Sequence, residues 1–220
     1  MGKLKNIPII DYSKKEDLFN SVSHFFGVLL GITILVISFV FYFQNKIGVE
    51  LFIGDLVFGL SAIALYFVSG LYHIYNPEKE TTKRVLRIID HCTIYALIAG
   101  TYTPICIYIM SVNPIGLVML ILQWVLAAIG ITLNAISLNN KYIKIISMIL
   151  YLFMGWMVIF FWAHIYISLI SFYLILAGGV AYTIGSVLYG FGHKKLIFHS
   201  VFHIFVLIGT ILQAIGIFYL

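Results

Sequence analysis

The sequence predicts an all-α polytopic membrane protein of seven transmembrane helices, with the N-terminus cytoplasmic and the C-terminus outside. Three observations predict it. Hydrophobic residues make up 62% of the 220 and charged residues 10%, at a mean hydropathy of +1.08, so a water-soluble fold would lack the polar surface to cover itself. Seven apolar segments of bilayer-spanning length follow one another with short polar connections. Counted loop by loop, twelve of the 13 Lys and Arg fall on one side of those segments, the asymmetry that short cytoplasmic loops carry.

Residues 1–20 read as a cytoplasmic tail leading into an interfacial helix start, with Lys3, Lys5, Lys14 and Lys15 set against Asp11, Glu16 and Asp17, and Pro8 early. That stretch is mixed and polar and no small-residue cleavage site follows, so the first apolar run is expected to be a retained helix rather than a signal peptide. A single transmembrane domain, 21–220, comes next. Its segments lie at about 21–43, 50–75, 85–110, 114–136, 142–162, 167–190 and 196–220, each near the ~20 residues a bilayer core demands. The fifth and sixth are separated only by Trp162 to Tyr166.

After the tail, the basic residues cluster as Lys79, Lys83, Arg84 and Arg87 between the second and third segments, Lys141 and Lys144 after the fourth, and Lys194 and Lys195 after the sixth. Lys46 stands alone on the other side. Adding or removing one span would scramble this pattern. The formal charge of +5 is accounted for by the same loops, so no nucleic-acid partner is expected. Gly27 and Gly31, and Gly178, Gly179 and Gly185, suit close helix packing. Trp124, Trp156 and Trp162 suit core filling or an interfacial belt. Cys92 and Cys106, fourteen residues apart on one helix, are separated by about 21 Å; they cannot bridge each other and read as packing residues.

Topology gives every polar residue a depth. His199 and His203 form a His-x-x-x-His pair on one helical face, four and eight residues beyond Lys195, which is roughly 6–12 Å inside the cytoplasmic boundary. The second segment runs the other way and ends on that side, placing His73 three residues before Asn76 and Ser69 one turn deeper on the same face. The third places Asp90 three residues past Arg87. Four ionisable side chains from three distant stretches thus share one layer, and such groups in a membrane are costly and usually functional. Three histidines with an open position suit catalytic zinc, while leaving other divalent metals open and excluding all-thiolate or all-carboxylate sites. His91, about 100° around the helix from Asp90, is expected to face elsewhere. His164 and His193 are assigned to loops. His24 has the depth for a supporting role, with packing at the helix start the simpler expectation.

These residues carry a resemblance. The run Glu16-Asp17-Leu18-Phe19-Asn20-Ser21-Val22-Ser23-His24-Phe25-Phe26-Gly27, the Ser69-x-x-x-His73 pair, the run from Asp90-His91-Cys92 to Thr103-Pro104, and His199-x-x-x-His203 together resemble the bacterial hemolysin III family of the progestin and adipoQ receptor superfamily. The ordered set covers nearly the whole chain. It implies seven helices with a cytoplasmic N-terminus, and zinc held by His73, His199 and His203 with Asp90 and Ser69 beside the water the metal activates. Asp17 stands where the family more often has Glu. Relatives implied by the superfamily include lipid amidases of the alkaline ceramidase type, receptor-like proteins and members named for cytolysis.

The leading functional expectation is a zinc-dependent hydrolase of a lipid-like amide or ester, with Asp90 and Ser69 catalytic and membrane lipids as surroundings and substrate. A receptor-like sensor with structural zinc is the alternative, followed by a pore-forming cytolysin. Neither a secretion signal nor an amphipathic pore lining supports the last of these.

Overall fold

The structure is a computed structural model that describes residues 4, 7–75, 78–191 and 196–220. Among the described residues the secondary structure is helical: α1 (Lys14–Phe43), α2 (Val49–Ile74), α3 (Glu80–Met110), α4 (Ile115–Ser137), α5 (Lys141–Gly155), α6 (Met157–Phe160), a 3-10 turn (Trp162–His164), α7 (Leu169–Phe191) and α8 (Ile197–Phe218). Six of these, α1 to α4, α7 and α8, are long and apolar enough to cross a membrane. The remaining expected span, 142–162, is met by α5, α6 and the 3-10 turn in succession. It is a broken helix rather than a continuous one.

Helix α1 opens inside the stretch expected to be tail, because Ser13 and Glu16 form a capping box: the Ser13 N–H donates to Glu16 Oε2 at 2.9 Å and the Glu16 N–H donates to Ser13 Oγ at 3.3 Å. Two otherwise orphaned donors are satisfied there, which fixes the start seven residues before the apolar run begins. The segment before it folds onto the end of the bundle. Ile7 and Tyr12 are buried, Arg84 Nε donates to the Ile7 carbonyl at 3.0 Å, and Arg87 Nη1 donates to the Pro8 carbonyl.

α1 packs on α2, α2 on α3, α3 on α4 and α7 on α8, and α8 returns to α1 to close the bundle. Small residues permit the close approaches. A Cβ on Gly31 would stand 2.6 Å from the Ile63 side chain and 3.1 Å from the Gly59 carbonyl oxygen. Gly178 and Gly185 are occluded in the same way by α8, whereas Gly179 has open space in front of it. The polarity of the bundle is inverted relative to a soluble protein. Phe26, Leu29, Ile121, Ile149 and Val187 point outward and exposed, while Asn20, Asp55, Gln123, Asn134 and Thr210 are buried. This is the distribution a lipid solvent selects. The protein is a multi-pass membrane protein.

The break at Trp156 is stitched from outside. The Tyr102 hydroxyl donates to the Gly155 carbonyl at 2.7 Å and accepts from the Val158 N–H at 3.1 Å, and Gln123 Nε2 donates to the Met154 carbonyl at 2.9 Å. Irregular backbone persists at membrane depth only where protein satisfies it. Replacing Tyr102 by Phe leaves a part-buried carbonyl and a buried N–H without this partner, at a cost of about 1–3 kcal/mol. The expected outcome is a lowered thermal midpoint in detergent, with Tyr108→Phe as a control of no effect. An unchanged midpoint for Tyr102→Phe would show that the break needs no such support.

The basic residues within the described part obey the expected asymmetry. Lys14, Lys15, Lys79, Lys83, Arg84, Arg87, Lys141 and Lys144 all sit where helices meet one end of the bundle, and Lys46 lies in the α1–α2 connection at the other. Lys3, Lys5, Asn76, Pro77, His193, Lys194 and Lys195 lie outside the described residues.

Candidate metal centre

The first two turns of α8 carry His199 and His203 on one face, and the last turn of α2 brings His73 against them. The His199 Nε2 lies 3.3 Å from His73 Nε2 and 3.0 Å from His203 Nε2. One ligand atom from each of the three falls within 4.8 Å of the others, so the group can hold one metal ion. His73 and His203 are buried and His199 partly so. The convergence follows from the antiparallel bundle, because α2 ends and α8 begins at the same basic end.

The orientation of His73 is fixed by α1. Its Nδ1–H donates to Asp17 Oδ1 at 2.9 Å, which leaves Nε2 with its lone pair turned toward the other two rings. A carboxylate behind a ligating imidazole sets the tautomer and raises basicity. Asp17→Ala is expected to weaken metal affinity about 10- to 100-fold, measured by competition against a chelator of known affinity; affinity equal to that of the unmodified protein would remove Asp17 from the site. The surface over the cluster is closed by Tyr12, whose ring centroid lies 5.2 Å from that of His73 and 5.3 Å from that of His199. Burial pushes its phenol well above the usual range, so it stays neutral. On the other side Lys83 is buried, with Nζ donating to the Tyr75 carbonyl at 3.1 Å. It thereby satisfies an exposed carbonyl at the end of α2.

Asp90 and Ser69 border a cavity of about 420 Å³ that also touches His199 and His203. Ser69 of α2 and Asp90 of α3 line it from two helices packed on each other. Asp90 is absent from the three-histidine ligand group, so the structure brings all five expected site residues to one place while separating the ligand set from the carboxylate beside it. From there the cavity runs between the helices as far as Trp156, Thr183 and Gln213.

Two expectations differ from the structure. His91 borders the same cavity as Asp90, because the cavity is wide enough to expose two adjacent positions of α3. His24 is 3% exposed and its ring stacks on His203 at a centroid distance of 3.7 Å, so its place is directly beside the cluster rather than at a generic helix start. Asp17 and Tyr12 are the neighbours that sequence reasoning missed. For Asp17 a signal existed: Asp17, Ser21 and His24 recur at i, i+4 and i+7, which lines one face of α1 with polar groups inside an apolar helix. Tyr12 carried none, since it lies before the helix.

With this geometry in place the chain can be set beside known proteins. A family profile described as Haemolysin-III related matches residues 12–214. The chain belongs to the haemolysin III family. It is 36% identical over 202 residues to the hemolysin-3 homolog of Bacillus subtilis (strain 168), covering 90% of this chain and 91% of that protein. It is 35% identical over 200 residues to hemolysin-3 of Bacillus cereus, covering 89% and 87%. A human protein, the monocyte to macrophage differentiation factor, is 27% identical over 156 residues, covering 68% of this chain and 63% of its own. The matched stretch of this haemolysin III chain contains Tyr12, Asp17, His73, Asp90, His199 and His203, and so every residue placed at the candidate centre above.

Proposed function

We propose that this haemolysin III protein is a zinc-dependent hydrolase of a lipid-like amide or ester, working at the cytoplasmic side of the bacterial plasma membrane. The observation that carries the reading is the meeting of three imidazoles, two of which, His199 and His203, line one cavity together with Asp90 and Ser69. Three histidines around one tetrahedral zinc, with bonds of about 2.0–2.1 Å, stand about 3.3 Å apart at their ligating nitrogens. The contacts of 3.0 and 3.3 Å fit that requirement. Zinc held by His73, His199 and His203 would supply Lewis acidity and a water acidic enough to ionise near neutral pH.

The chain's own residues supply the rest. Asp90 stands next to the cluster without joining it, which suits a carboxylate that orients a water and accepts its proton. Ser69 lines the cavity beside Asp90, where its hydroxyl can face a carbonyl oxygen on substrate binding. Tyr12, over the rings, keeps bulk water from the cluster on the basic side. The cavity volume falls in the range of small-molecule sites, and its length along α8 from His199 to Gln213, about 21 Å, suits an acyl chain. Detergent-purified protein incubated with a panel of lipid amides and esters, with product followed by mass spectrometry, tests the proposal. Release of fatty acid that stops on chelation and returns with zinc supports it; zinc-loaded protein inert toward the whole panel counts against it.

One observation favours a second reading, a sensor in which zinc is structural. His73 on α2 and His199 and His203 on α8 would tie two distant helices together. Under that reading chelation lowers the thermal midpoint and no lipid class accumulates when the protein is removed from cells.

A further inference from the structure

We infer that the cavity selects acyl lipids whose headgroup carries a negative charge close to the scissile carbonyl, with Arg87 as the residue that reads it. The inference rests on the histidine cluster being where the carbonyl sits. Arg87 borders the cavity and is only 6% exposed. The two ion pairs among the described residues, Asp17 with His73 and Glu80 with Arg84, do not include it. Its hydrogen bond to the Pro8 carbonyl uses one of five N–H donors. A guanidinium withdrawn from water is costly unless an anion meets it.

Its surroundings sharpen the argument. Lys144 of α5 borders the same basic end of the cavity, in no ion pair among the described residues, with Nζ 3.5 Å from Asn139 Oδ1. Tyr189 borders that end too. Asp90 is the one carboxylate among the described residues lining the cavity. Two cations and a phenol therefore face a space with one carboxylate. Carboxylate and phosphate groups match a guanidinium by two parallel hydrogen bonds, which a hydroxyl headgroup does not. Arg87 precedes Asp90 by three residues on α3, about 4.5 Å along the helix. A charge it reads thus lies only a few bonds from a carbonyl held at the histidine cluster next to Asp90, as in an N-acyl amino acid or an acylglycerol phosphate.

The test uses a matched pair that differs only in the charge, N-palmitoylglycine and N-palmitoylethanolamine, bound to the full chain in neutral detergent before and after chelation. The expected result is binding of the glycine conjugate at least about tenfold tighter, a preference that survives chelation, disappears in Arg87→Gln and is partly restored in Arg87→Lys. Equal affinity for the pair overturns the inference, as does a preference that vanishes with the metal, or one that persists in Arg87→Gln at an unchanged thermal midpoint. Should Arg87→Gln not hold its fold, the readout passes to Arg87→Lys and Lys144→Gln. A weakened preference in both supports the inference, and an unaltered one in both overturns it. Because the readout is binding to chelated protein, a preserved preference without any hydrolysis would sink the proposed reaction and leave the recognition standing.

Discussion

Replacing His203 by alanine is expected to take purified protein from about one zinc per chain to a small fraction of that, measured by plasma mass spectrometry. The reason is geometric. His203 Nε2 stands 3.0 Å from His199 Nε2, and both stand on the α8 face that meets His73, so its loss leaves two imidazoles where a zinc site needs three protein ligands. The remaining pair, His73 on α2 and His199 on α8, retains some affinity, but not enough to survive purification against a weak chelator. The variant also removes the ring on which His24 stacks at 3.7 Å, so the thermal midpoint should fall as well. A His73, His199 and His203 triple alanine variant sets the zero. Metal retained at the same stoichiometry in the triple variant would place the ion elsewhere, and metal absent from unmodified protein even after titration with zinc would remove the centre altogether.

Exchange of Asp90 for Asn is expected to separate chemistry from metal binding. The carboxylate lies outside the ligand group, so zinc content should stay at the level of the unmodified protein. Asn keeps the shape but cannot accept a proton. A positioned general base contributes about 10²- to 10⁴-fold, and turnover of an accepted lipid should fall by that factor with little change in KM. Loss of zinc in this variant would make Asp90 a ligand or a structural support. Full activity with zinc intact would hand the proton-accepting role to another group. The Ser69→Ala change provides a graded companion, since it removes a hydroxyl that lines the cavity beside Asp90 and should cost less than removing the carboxylate.

These two variants also discriminate between the enzyme and the sensor. A structural zinc predicts that His203→Ala is severe and Asp90→Asn is mild in every readout. A catalytic zinc predicts that Asp90→Asn is severe in turnover alone. The physical distinction lies in where Asp90 faces, because a carboxylate that served only to pair with Arg87 would lie within ion-pair distance of it, and that pair is not formed among the described residues.

Much of this was legible before any coordinates. Composition decided the solvent, because 62% hydrophobic residues leave a water-soluble surface uncovered, and the loop-by-loop placement of Lys and Arg decided which helix ends share a side. Depth then followed from 1.5 Å per residue, which is why His73, His199, His203, Asp90 and Ser69 could be grouped from one chain. What periodicity along single helices could not supply was the contact between them. The break in the fifth span depended on Tyr102 and Gln123, two side chains from other helices that satisfy the backbone there. The tautomer of His73 depended on Asp17, a residue 56 positions away, and the burial of Tyr12 depended on Arg84 and Arg87 holding the segment before α1. The sequence by itself determined the membrane, the topology and the layer in which the polar groups lie, since these depend on hydropathy and charge summed over many residues. Only the tertiary structure decided which nitrogens converge, what stands behind them and where a cavity opens, since those depend on how side chains from separate helices meet.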